Sequence, residues 1–377
     1  MLKVQEYLRS GNTLENLKRD FAIGGRVDEK LNVVSLNYSM IESPMSNPIV
    51  QECRCLILEI GTWNVKGITY NKFFNYGEGH IPEDFDWSNF KTYEKLDGSI
   101  IAVWFHDTYG WQIATRSVPD GSSQVDDSGL TYRDLVIMTL KDMGSSWETL
   151  QAHMDPKYTY IYELMTPENQ VVVLHKDRKL VLTGIRSTDE PWFKESDLDI
   201  WHGWNPGFPV PVVNRYEGFS KDVVLFEVQG RNPLEHEGFV LVDKNFNRVK
   251  VKSDAYCLMS HQRDGLGKSN KARLELVLTE KDDDVMQLLP EFVQDKIKVI
   301  KQKLGDLVTQ VNEVYNSLKH IESQKDFALE ACKYRFSGAL FAIRAKRVTS
   351  ALEWFKQASP KSTLDYLNLK ETEAGEE

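Results

Sequence analysis

Cysteine is scarce in this sequence. Four cysteines in 377 residues are too few for the disulfide framework that staples small secreted domains. Cys53 and Cys55 stand two apart in a strand-like run, which predicts that both side chains point to one face of a strand. No second Cys or His pair at zinc-like spacing follows them, so we expect reduced thiols rather than a zinc site.

Long apolar runs are also missing. No stretch approaches the roughly 20 apolar residues that a membrane-spanning helix needs. The charged start "MLKVQEYLRS" lacks the uninterrupted apolar segment of a signal peptide. We therefore expect a cytoplasmic protein without membrane association.

Positive charge is in deficit, because 46 lysines and arginines face 56 acidic residues and give a formal net charge of -10. This balance excludes a protein that binds nucleic acid indiscriminately over its whole surface, although a local basic groove remains compatible with it. The 41% hydrophobic content is that of a soluble globular protein. The length predicts two or three domains.

The sequence pattern changes near residue 257, from β-rich to helical. Short β-rich runs such as "LNVVSLNY", "IIAVWF" and "EGFVLVD" recur between turn residues from about residue 32 to 257, with helical segments at "LTYRDLVIMTLKDM" and near 145–153. This mixture predicts an α+β domain with mixed antiparallel sheets over residues 1–257. Helical patterns then take over, which predicts an all-helical C-terminal domain over residues 258–377. The acidic end "ETEAGEE" is typical of a disordered tail.

Apolar residues recur alternately four and three positions apart from Val293 to Ile321. This heptad spacing predicts one long helix. The helix belongs either to an intermolecular coiled coil or to the interior of its own domain. The second interpretation is favoured, because further apolar helical sequence follows over residues 325–357 and can cover it.

The stretch "YEKLDGSI", residues 93–100, places a lysine beside a tight turn at the entrance to an apolar strand. The segment is either an ordinary surface hairpin or the setting of a nucleophile, Lys95. A lysine becomes nucleophilic when burial or neighbouring cations lower its pKa. The run "RVKVKSDAY" offers such cations, because Lys250 and Lys252 project from one face of a strand. The alternative is an exposed edge strand whose alternating lysines discourage aggregation.

Further charged residues stand in apolar surroundings. Glu163 lies inside "YIYELMTP" and Glu237 heads "EGFVLVD", and each is either a salt-bridge partner or an oxygen ligand for Mg²⁺. Arg54, in "ECRCLILEI", carries a guanidinium group that suits a phosphate. Lys72 stands beside two phenylalanines in "NKFFNYGE", either as a site cation or as a lysine whose stem covers a core phenylalanine pair.

The order of these elements resembles the nucleotidyltransferase motifs of the covalent ligase and capping-enzyme superfamily. "KLDGS" resembles motif I, "YELM" motif III, "LTGIR" motif IIIa, "EGFVLVD" motif IV and "VKVKS" motif V. Upstream "ECRC" and "KFFN", together with the tyrosine of "VKVKSDAY", resemble the T-even bacteriophage RNA ligase 1 family. The resemblance covers roughly residues 30–257. It implies an ATP-grasp-like ligase domain, here followed by helices.

The resemblance also implies roles for individual residues. Lys95 would attack the ATP α-phosphate and become lysyl-AMP, while Lys250 and Lys252 contact that phosphate. Glu163 and Glu237 would handle the ribose and the metal, Mg²⁺ or Mn²⁺.

Other residues would bind around them. Arg54 and Lys72 would hold the outgoing pyrophosphate and later RNA phosphates, Arg116 would be the basic residue of motif Ia, and Tyr256 would contact the nucleotide. Two residues depart from the family pattern: Cys55 replaces a glycine, and Leu36 stands where an aromatic residue of the nucleotide pocket is expected.

The implied activity is ATP-dependent joining of 5′-phosphate and 3′-hydroxyl RNA ends by a phage-type enzyme. Single-stranded RNA or cleaved tRNA would be the substrate, and no obligate protein partner is indicated. DNA ligases and capping enzymes are disfavoured, because Ile100 replaces their motif I arginine and helices replace their C-terminal barrel. A catalytically idle RNA-binding protein is a further alternative. Two basic stretches, residues 244–273 and 333–347, are candidate RNA contacts.

Overall fold

A computed structural model describes most of the chain. The described residues are 1–39, 42–125, 129–190, 193–279 and 291–371. The side chains of residues 258, 261–264, 267, 268, 291 and 292 lie outside the description. The predicted disordered tail, 371–377, also lies outside it from residue 372 onward.

The chain divides into two compact units, Met1–Tyr256 and Cys257–Glu377. The predicted division lies one residue further along. The strands of the first unit are β1 (Ile23–Asp28), β2 (Val33–Tyr38), β3 (Arg54–Glu59), β4 (Val65–Gly67), β5 (Phe74–Asn75), β6 (Phe90–Lys95), β7 (Ser99–His106), β8 (Gly110–Ala114), β9 (Tyr158–Met165), β10 (Lys179–Ser187), β11 (Arg215–Tyr216), β12 (Gly238–Asp243) and β13 (Arg248–Lys252).

Helices connect these strands. They are α1 (Lys3–Arg9), α2 (Leu14–Phe21), α3 (Pro48–Glu52), α4 (Tyr132–Asp142), α5 (Trp147–Ala152), α6 (Leu198–Trp204) and α7 (Lys221–Gly230). Helix α4 shows why these segments are helical: the Thr131 hydroxyl accepts from the Asp134 backbone N–H, and apolar residues follow at helical spacing.

Within the described residues the strands form three sheets, with orders β1-β2-β3-β4, β10-β9-β7-β8 and β11-β6-β12-β13-β5. The pairings are antiparallel except β13 with β5, which is parallel. The expected mixed α+β architecture with helices at the C-terminal end is therefore confirmed. Strands β6, β12 and β13 lie side by side, and this arrangement positions the site described below.

Cys53 and Cys55 do not share a face, contrary to the prediction. Cys53 packs in the core beneath α1 and α2, whereas Cys55 packs against Trp104 and Ile57 in a separate cluster. The reason is a break in the register of β3 at Cys55, where φ is +51°. This left-handed backbone is the conformation that glycine adopts readily, and glycine is the residue that the family pattern has here.

We expect Cys55→Val to destabilise the fold by about 2 kcal/mol or more, because a β-branched side chain resists this φ. Cys55→Gly should remain within about 1 kcal/mol of wild type, since relief of strain offsets greater unfolded-state entropy. Urea denaturation measures both. Cys53→Val, buried at φ -85°, is the matched control. Equal losses in the two valine variants would contradict the backbone explanation.

The second unit is helical. Its helices begin with α8 (Asp254–Lys268), which starts in the first unit, and continue with α9 (Asn270–Leu278), α10 (Glu291–Leu318), α11 (Gln324–Ala331), α12 (Ser337–Arg344), α13 (Ala351–Gln357) and α14 (Pro360–Leu367). The predicted apolar stripe lies on α10 up to Leu318, with Ile321 just beyond the helix, and its residues are buried or packed within this unit's core. The intramolecular interpretation of the stripe is therefore correct.

The predicted basic stretches are only partly available as surfaces. Arg248 forms a 2.5 Å ion pair with Glu195, and Arg273 is fully buried, where Nη1 donates to Asn270 Oδ1 at 2.7 Å. Arg344 donates to the Ile321 carbonyl oxygen at 2.8 Å and so holds a chain turn in place. Arg263 and Lys268 are among the side chains outside the description. Fewer basic residues are therefore available to contact RNA than the sequence suggests, because Arg248, Arg273 and Arg344 make contacts that stabilise the fold.

None of the helices in the described ranges combines the length and the apolar surface that a bilayer crossing requires.

Candidate active site

Lys95 ends β6 in a register that brings it beside the other predicted groups. Pairing of β6 with β12 places Lys95 opposite Gly238, and pairing of β12 with β13 places Gly238 opposite Lys252. Lys250 projects from the same face of β13, because side chains alternate along a strand. Strands β6 and β13 therefore present the predicted lysines on either side of β12, with Glu237 directly before Gly238 at the start of β12.

Glu237 bridges two of these lysines. Its Oε2 atom lies 2.6 Å from Lys95 Nζ, and its Oε1 atom lies 2.8 Å from Lys252 Nζ. Burial alone would raise the pKa of this carboxyl, which is 4% exposed, but the charges of Lys95 and Lys252 lower it below its ordinary value. The ion-pair interpretation of Glu237 therefore describes this structure, and the carboxylate holds Lys95 in place.

Gly238 allows β12 and β13 to approach closely at this point. Its φ is +149°, and a Cβ atom there would lie 2.1 Å from the Val251 carbonyl oxygen. A side chain is therefore excluded by both conformation and space. The glycine keeps Glu237 beside the end of β13.

The turn after Lys95 is fixed by Asp97. Its Oδ2 atom accepts hydrogen bonds from the Val172 and Val173 backbone N–H groups at 2.7 and 2.6 Å, and Oδ1 accepts from the Tyr256 hydroxyl at 2.8 Å. His175 Nε2 lies 2.6 Å from the Asp97 carbonyl oxygen. Burial, with the charge of Glu237 adding to it, raises the pKa of Asp97. Asp97 therefore ties the motif I loop to the segment after β9.

Tyr256 is buried beside the site, and its predicted contact with a nucleotide stays a prediction. The side chain is 1% exposed, its hydroxyl donates to Asp97, and its ring lies 5.1 Å from Lys252 Nζ.

Close packing also requires a glycine at position 98. A Cβ atom there would lie 2.3 Å from the Leu164 carbonyl oxygen on β9.

The lysine with a strongly lowered pKa is Lys250. Burial is the largest cause, and the charges of Lys72, Lys95, Arg54 and Lys252 add to it, so that its pKa falls to about 7. The exposed-edge interpretation of this strand is wrong, because β13 lies between β12 and β5. The sequence assigned this effect to Lys95, whereas in the structure the lowered pKa belongs to Lys250, and burial contributes more to it than the neighbouring cations.

We expect this shift to appear in the pH dependence of stability. The pKa of Lys250 lies below its ordinary value of 10.5, so between about pH 7 and 10.5 the folded chain binds fewer protons than the unfolded chain. The contribution of Lys250 to the free energy of unfolding therefore rises with pH. Lys250→Met should be more stable than wild type at pH 6, and the difference should shrink by pH 9. Urea denaturation at both pH values measures it.

Lys179→Met, at an exposed position on β10, is the control and should show a difference from wild type that does not change with pH. A constant difference between Lys250→Met and wild type across this range would contradict the lowered pKa.

Glu163 enters the site from the adjacent sheet. It lies on β9 between Ile100 and Val181 of the neighbouring strands. Burial raises its pKa to about 7, although the charge of Lys95 opposes that shift. A carboxyl group in this range binds or releases a proton near neutral pH, and a cation beside it favours the ionised form.

Arg54 and Lys72 complete the cluster of cations. The Arg54 guanidinium carbon and Lys250 Nζ lie 5.0 and 5.3 Å from the centre of the Phe73 ring. Lys72 Nζ lies 5.2 Å from the ring of Phe74, and burial, with Arg54 adding to it, lowers the Lys72 pKa. Both interpretations of Lys72 therefore apply, because its ammonium group lies near a phenylalanine ring and also belongs to the cluster of cations.

Arg116 reaches the same cluster through β2. Its Nε donates to Asn37 Oδ1 at 2.9 Å, and its guanidinium carbon lies 4.9 Å from the centre of the Tyr38 ring. Lys72 Nζ lies 5.5 Å from that ring. Leu36, which replaces an expected aromatic residue, is buried in the core, so the aromatic ring near these cations is that of Tyr38.

Asn37, Tyr38 and the Val172–Val173 backbone were not predicted as parts of the site. The segment "LNVVSLNY" contains Tyr38 two residues after Leu36, where the aromatic residue was expected. Nothing in the local sequence around Val172 indicates a partner for Asp97, because that contact joins residues 75 positions apart.

The carboxylates available for a metal ion are few. Within the described residues, no group of three or more His, Cys, Asp or Glu side chains is arranged to hold one. Glu237 contacts lysines through both oxygens, which leaves Glu163 as the other predicted ligand. Mg²⁺ is commonly bound by one or two carboxylates together with substrate phosphates. The donor set therefore fits an ion that shares its ligands with a nucleotide.

Comparison with known proteins shows which family the sequence matches. Residues 52–256 match the sequence model of the RNA ligase family. A protein of Autographa californica nuclear polyhedrosis virus, named for a polynucleotide kinase and an RNA ligase, is 28% identical over 311 residues, covering 78% of this chain and 42% of that protein. An RNA ligase of Rhodothermus phage RM378 is 23% identical over 342 residues, covering 74% of this chain and 77% of that protein. The match thus spans less than half of the first viral protein.

Solved structures give weaker similarities. An archaeal ATP-dependent RNA ligase has a TM-score of 0.46 at 14% identity, covering 91% of this chain and 80% of that chain. A mutant of the Naegleria gruberi RNA ligase with ATP and Mn has a TM-score of 0.36 at 16% identity, covering 48% and 53%.

The family match extends over more than half of the chain and includes Lys95, Glu163, Glu237, Lys250 and Lys252. This protein therefore belongs to the RNA ligase family, of the bacteriophage RNA ligase 1 type that its motifs resemble.

Proposed function

We propose that this protein is an ATP-dependent RNA ligase that joins 5′-phosphate and 3′-hydroxyl RNA ends, with residues 1–257 as its nucleotidyltransferase domain. The observation that carries the proposal is the position of Lys95, which the Glu237 carboxylate joins to Lys252 of β13. A primary amine held among cations is suited to attack a phosphate, because its surroundings neutralise the charge of the target.

In the first step, Lys95 Nζ forms a bond to the α-phosphorus of ATP, and the bond from that phosphorus to pyrophosphate breaks. The Lys95 ammonium group must leave its ion pair with Glu237 and give a proton to water, because only the neutral amine can supply an electron pair. Lys250 and Lys252 face the α-phosphate. The negative charge of ATP favours protonation of Lys250, whose lowered pKa leaves it partly neutral near pH 7.

Arg54, Lys72 and Arg116 hold the outgoing pyrophosphate in this proposal. Their guanidinium and ammonium groups cluster around Tyr38 and Phe73, a geometry that suits several phosphate oxygens at once. Glu163 is the residue that would bind Mg²⁺ or Mn²⁺, and such an ion neutralises phosphate charge.

In the second step, an oxygen of the RNA 5′-phosphate attacks the AMP phosphorus, and the bond to Lys95 breaks. In the third step, a 3′-hydroxyl attacks the activated 5′-phosphate and AMP leaves. Single-stranded RNA or cleaved tRNA is the proposed substrate, in an RNA repair role. The viral relatives support that setting.

The test is a sealing assay with purified protein, ATP, Mg²⁺ and a single-stranded RNA that carries a 5′-phosphate and a 3′-hydroxyl. We expect joined or circular RNA and a transient RNA 5′-adenylate. Nicked duplex DNA with ATP and capping substrates with GTP are the comparison arms. Sealing of DNA only, transfer of GMP, or RNA binding without any reaction would each overturn the proposal in favour of a named alternative.

A further inference from the structure

The N-terminal part of the first unit contains a cavity that none of the predicted residues line. Its volume is about 800 Å³, and it lies between the end of α2, the edge strand β1 and the end of β2. The lining residues that the argument uses are Lys18, Gly24, Arg26, Ser35, Asn37 and Tyr38.

This cavity shares a wall with the active site. Asn37 and Tyr38 line the cavity, and the same two residues contact Arg116, with Lys72 above the Tyr38 ring. The proposed function assigns Lys72 and Arg116 to the departing pyrophosphate. The cavity therefore adjoins the cations that the proposed function assigns to pyrophosphate.

The chemistry of the lining suits a nucleotide. Lys18 and Arg26 are exposed, and neither forms an ion pair with any carboxylate in the part of the chain that the structure describes. Arg19, by contrast, is paired with Asp20 at 2.7 Å. Two unpaired cations at one cavity attract phosphates.

The cavity also offers neutral and acidic groups. The Ser35 hydroxyl is buried and has no hydrogen-bond partner among the described residues, which is unusual for a buried polar group. Asp20 and Glu42 line the cavity too. Asp20 accepts hydrogen bonds from Arg19 and Tyr7, whereas Glu42 would repel a phosphate but accept hydrogen bonds from ribose hydroxyls or base amino groups. The missing side chain at Gly24 leaves space beside them.

We propose that this cavity binds a phosphate-bearing nucleotide of the RNA strand next to the end being joined. The volume lies within the range of small-ligand pockets, about 300 to 1,000 Å³, and so accommodates a nucleotide. This inference rests on the proposed RNA ligase function. It makes the cavity an RNA subsite that adjoins the residues used for reaction with ATP and shares Asn37 and Tyr38 with them.

Two kinds of variant test it. Lys18→Ala with Arg26→Ala removes the unpaired cations, and Gly24→Leu fills the cavity. A Cβ atom at Gly24 meets nothing closer than 3.8 Å, and its φ lies outside the left-handed region, so Gly24→Leu should fold. Lys179→Ala, an exposed lysine on β10, is the matched control.

We expect KM for a 5′-phosphorylated single-stranded RNA to rise about tenfold in the double variant and in Gly24→Leu. The salt dependence of RNA binding should weaken by about 0.7 in log–log slope for each lost phosphate contact. Labelling by ATP alone should stay within twofold of wild type.

The possible failures are distinguishable. If wild-type protein is not labelled by ATP and does not seal RNA, the proposed function fails. If labelling and sealing proceed normally but the double variant and Gly24→Leu keep the wild-type KM and salt slope, the cavity is not an RNA subsite. Circular dichroism confirms that each variant is folded before these comparisons are made.

Discussion

Lys95→Arg is expected to lose covalent labelling by radiolabelled ATP completely, a decrease of about a thousandfold or more. Arginine keeps the positive charge and the ability to pair with Glu237, so the site should remain assembled. Its guanidinium group does not lose a proton in proteins and therefore offers no amine electron pair. Labelled protein on denaturing gels, scored after acid quenching, gives the measurement.

Lys91→Arg is the matched control for this change. Lys91 lies on the same strand, β6, but pairs with Asp197 and Asp199 at 2.7 and 2.6 Å, away from Glu237. It should be labelled like wild type. Undiminished labelling of Lys95→Arg would remove Lys95 from the role of nucleophile.

Glu237→Gln should have the second largest effect. The change keeps the shape of the side chain but removes the charge that pairs with Lys95 and Lys252. Loss of one partner from a buried ion pair typically destabilises a protein by about 3 kcal/mol or more. We also expect labelling by ATP to fall by about a hundredfold, because Lys95 loses the contact that positions it.

Urea denaturation and the labelling assay together measure this effect. Glu235→Gln, at an exposed position two residues earlier, is the control and should match wild type in both. If Glu237→Gln were as stable and as readily labelled as wild type, the bridging carboxylate would have no part in assembling the site.

The lysines were predictable because strand geometry is regular. Alternation along β13 places Lys250 and Lys252 on one face whatever the rest of the fold does, and short-range motifs fixed Lys95 and Glu237. The helical stripe of α10 was predictable for the same reason, since its spacing repeats over many residues.

Properties that depend on distant contacts were not predictable. Burial of Arg273 and the pairing of Arg248 with Glu195 follow from tertiary packing, and residue type alone made both look like RNA contacts. The motif around Tyr256 gave no sign of the hydrogen bond from its hydroxyl to Asp97, 159 positions earlier in the chain. The glycine that the family pattern has at position 55 was a clue to the positive φ of Cys55. That this φ sends the side chains of Cys53 and Cys55 into different core clusters could be seen only in the structure.

Peptide mapping of the protein after reaction with ATP and Mg²⁺ tests the central claim most directly. Mass spectrometry under conditions that preserve a phosphorus–nitrogen bond should find one AMP group, carried by the peptide that contains Lys95. An AMP group on any other residue, or none on protein that nevertheless seals RNA, would contradict the account.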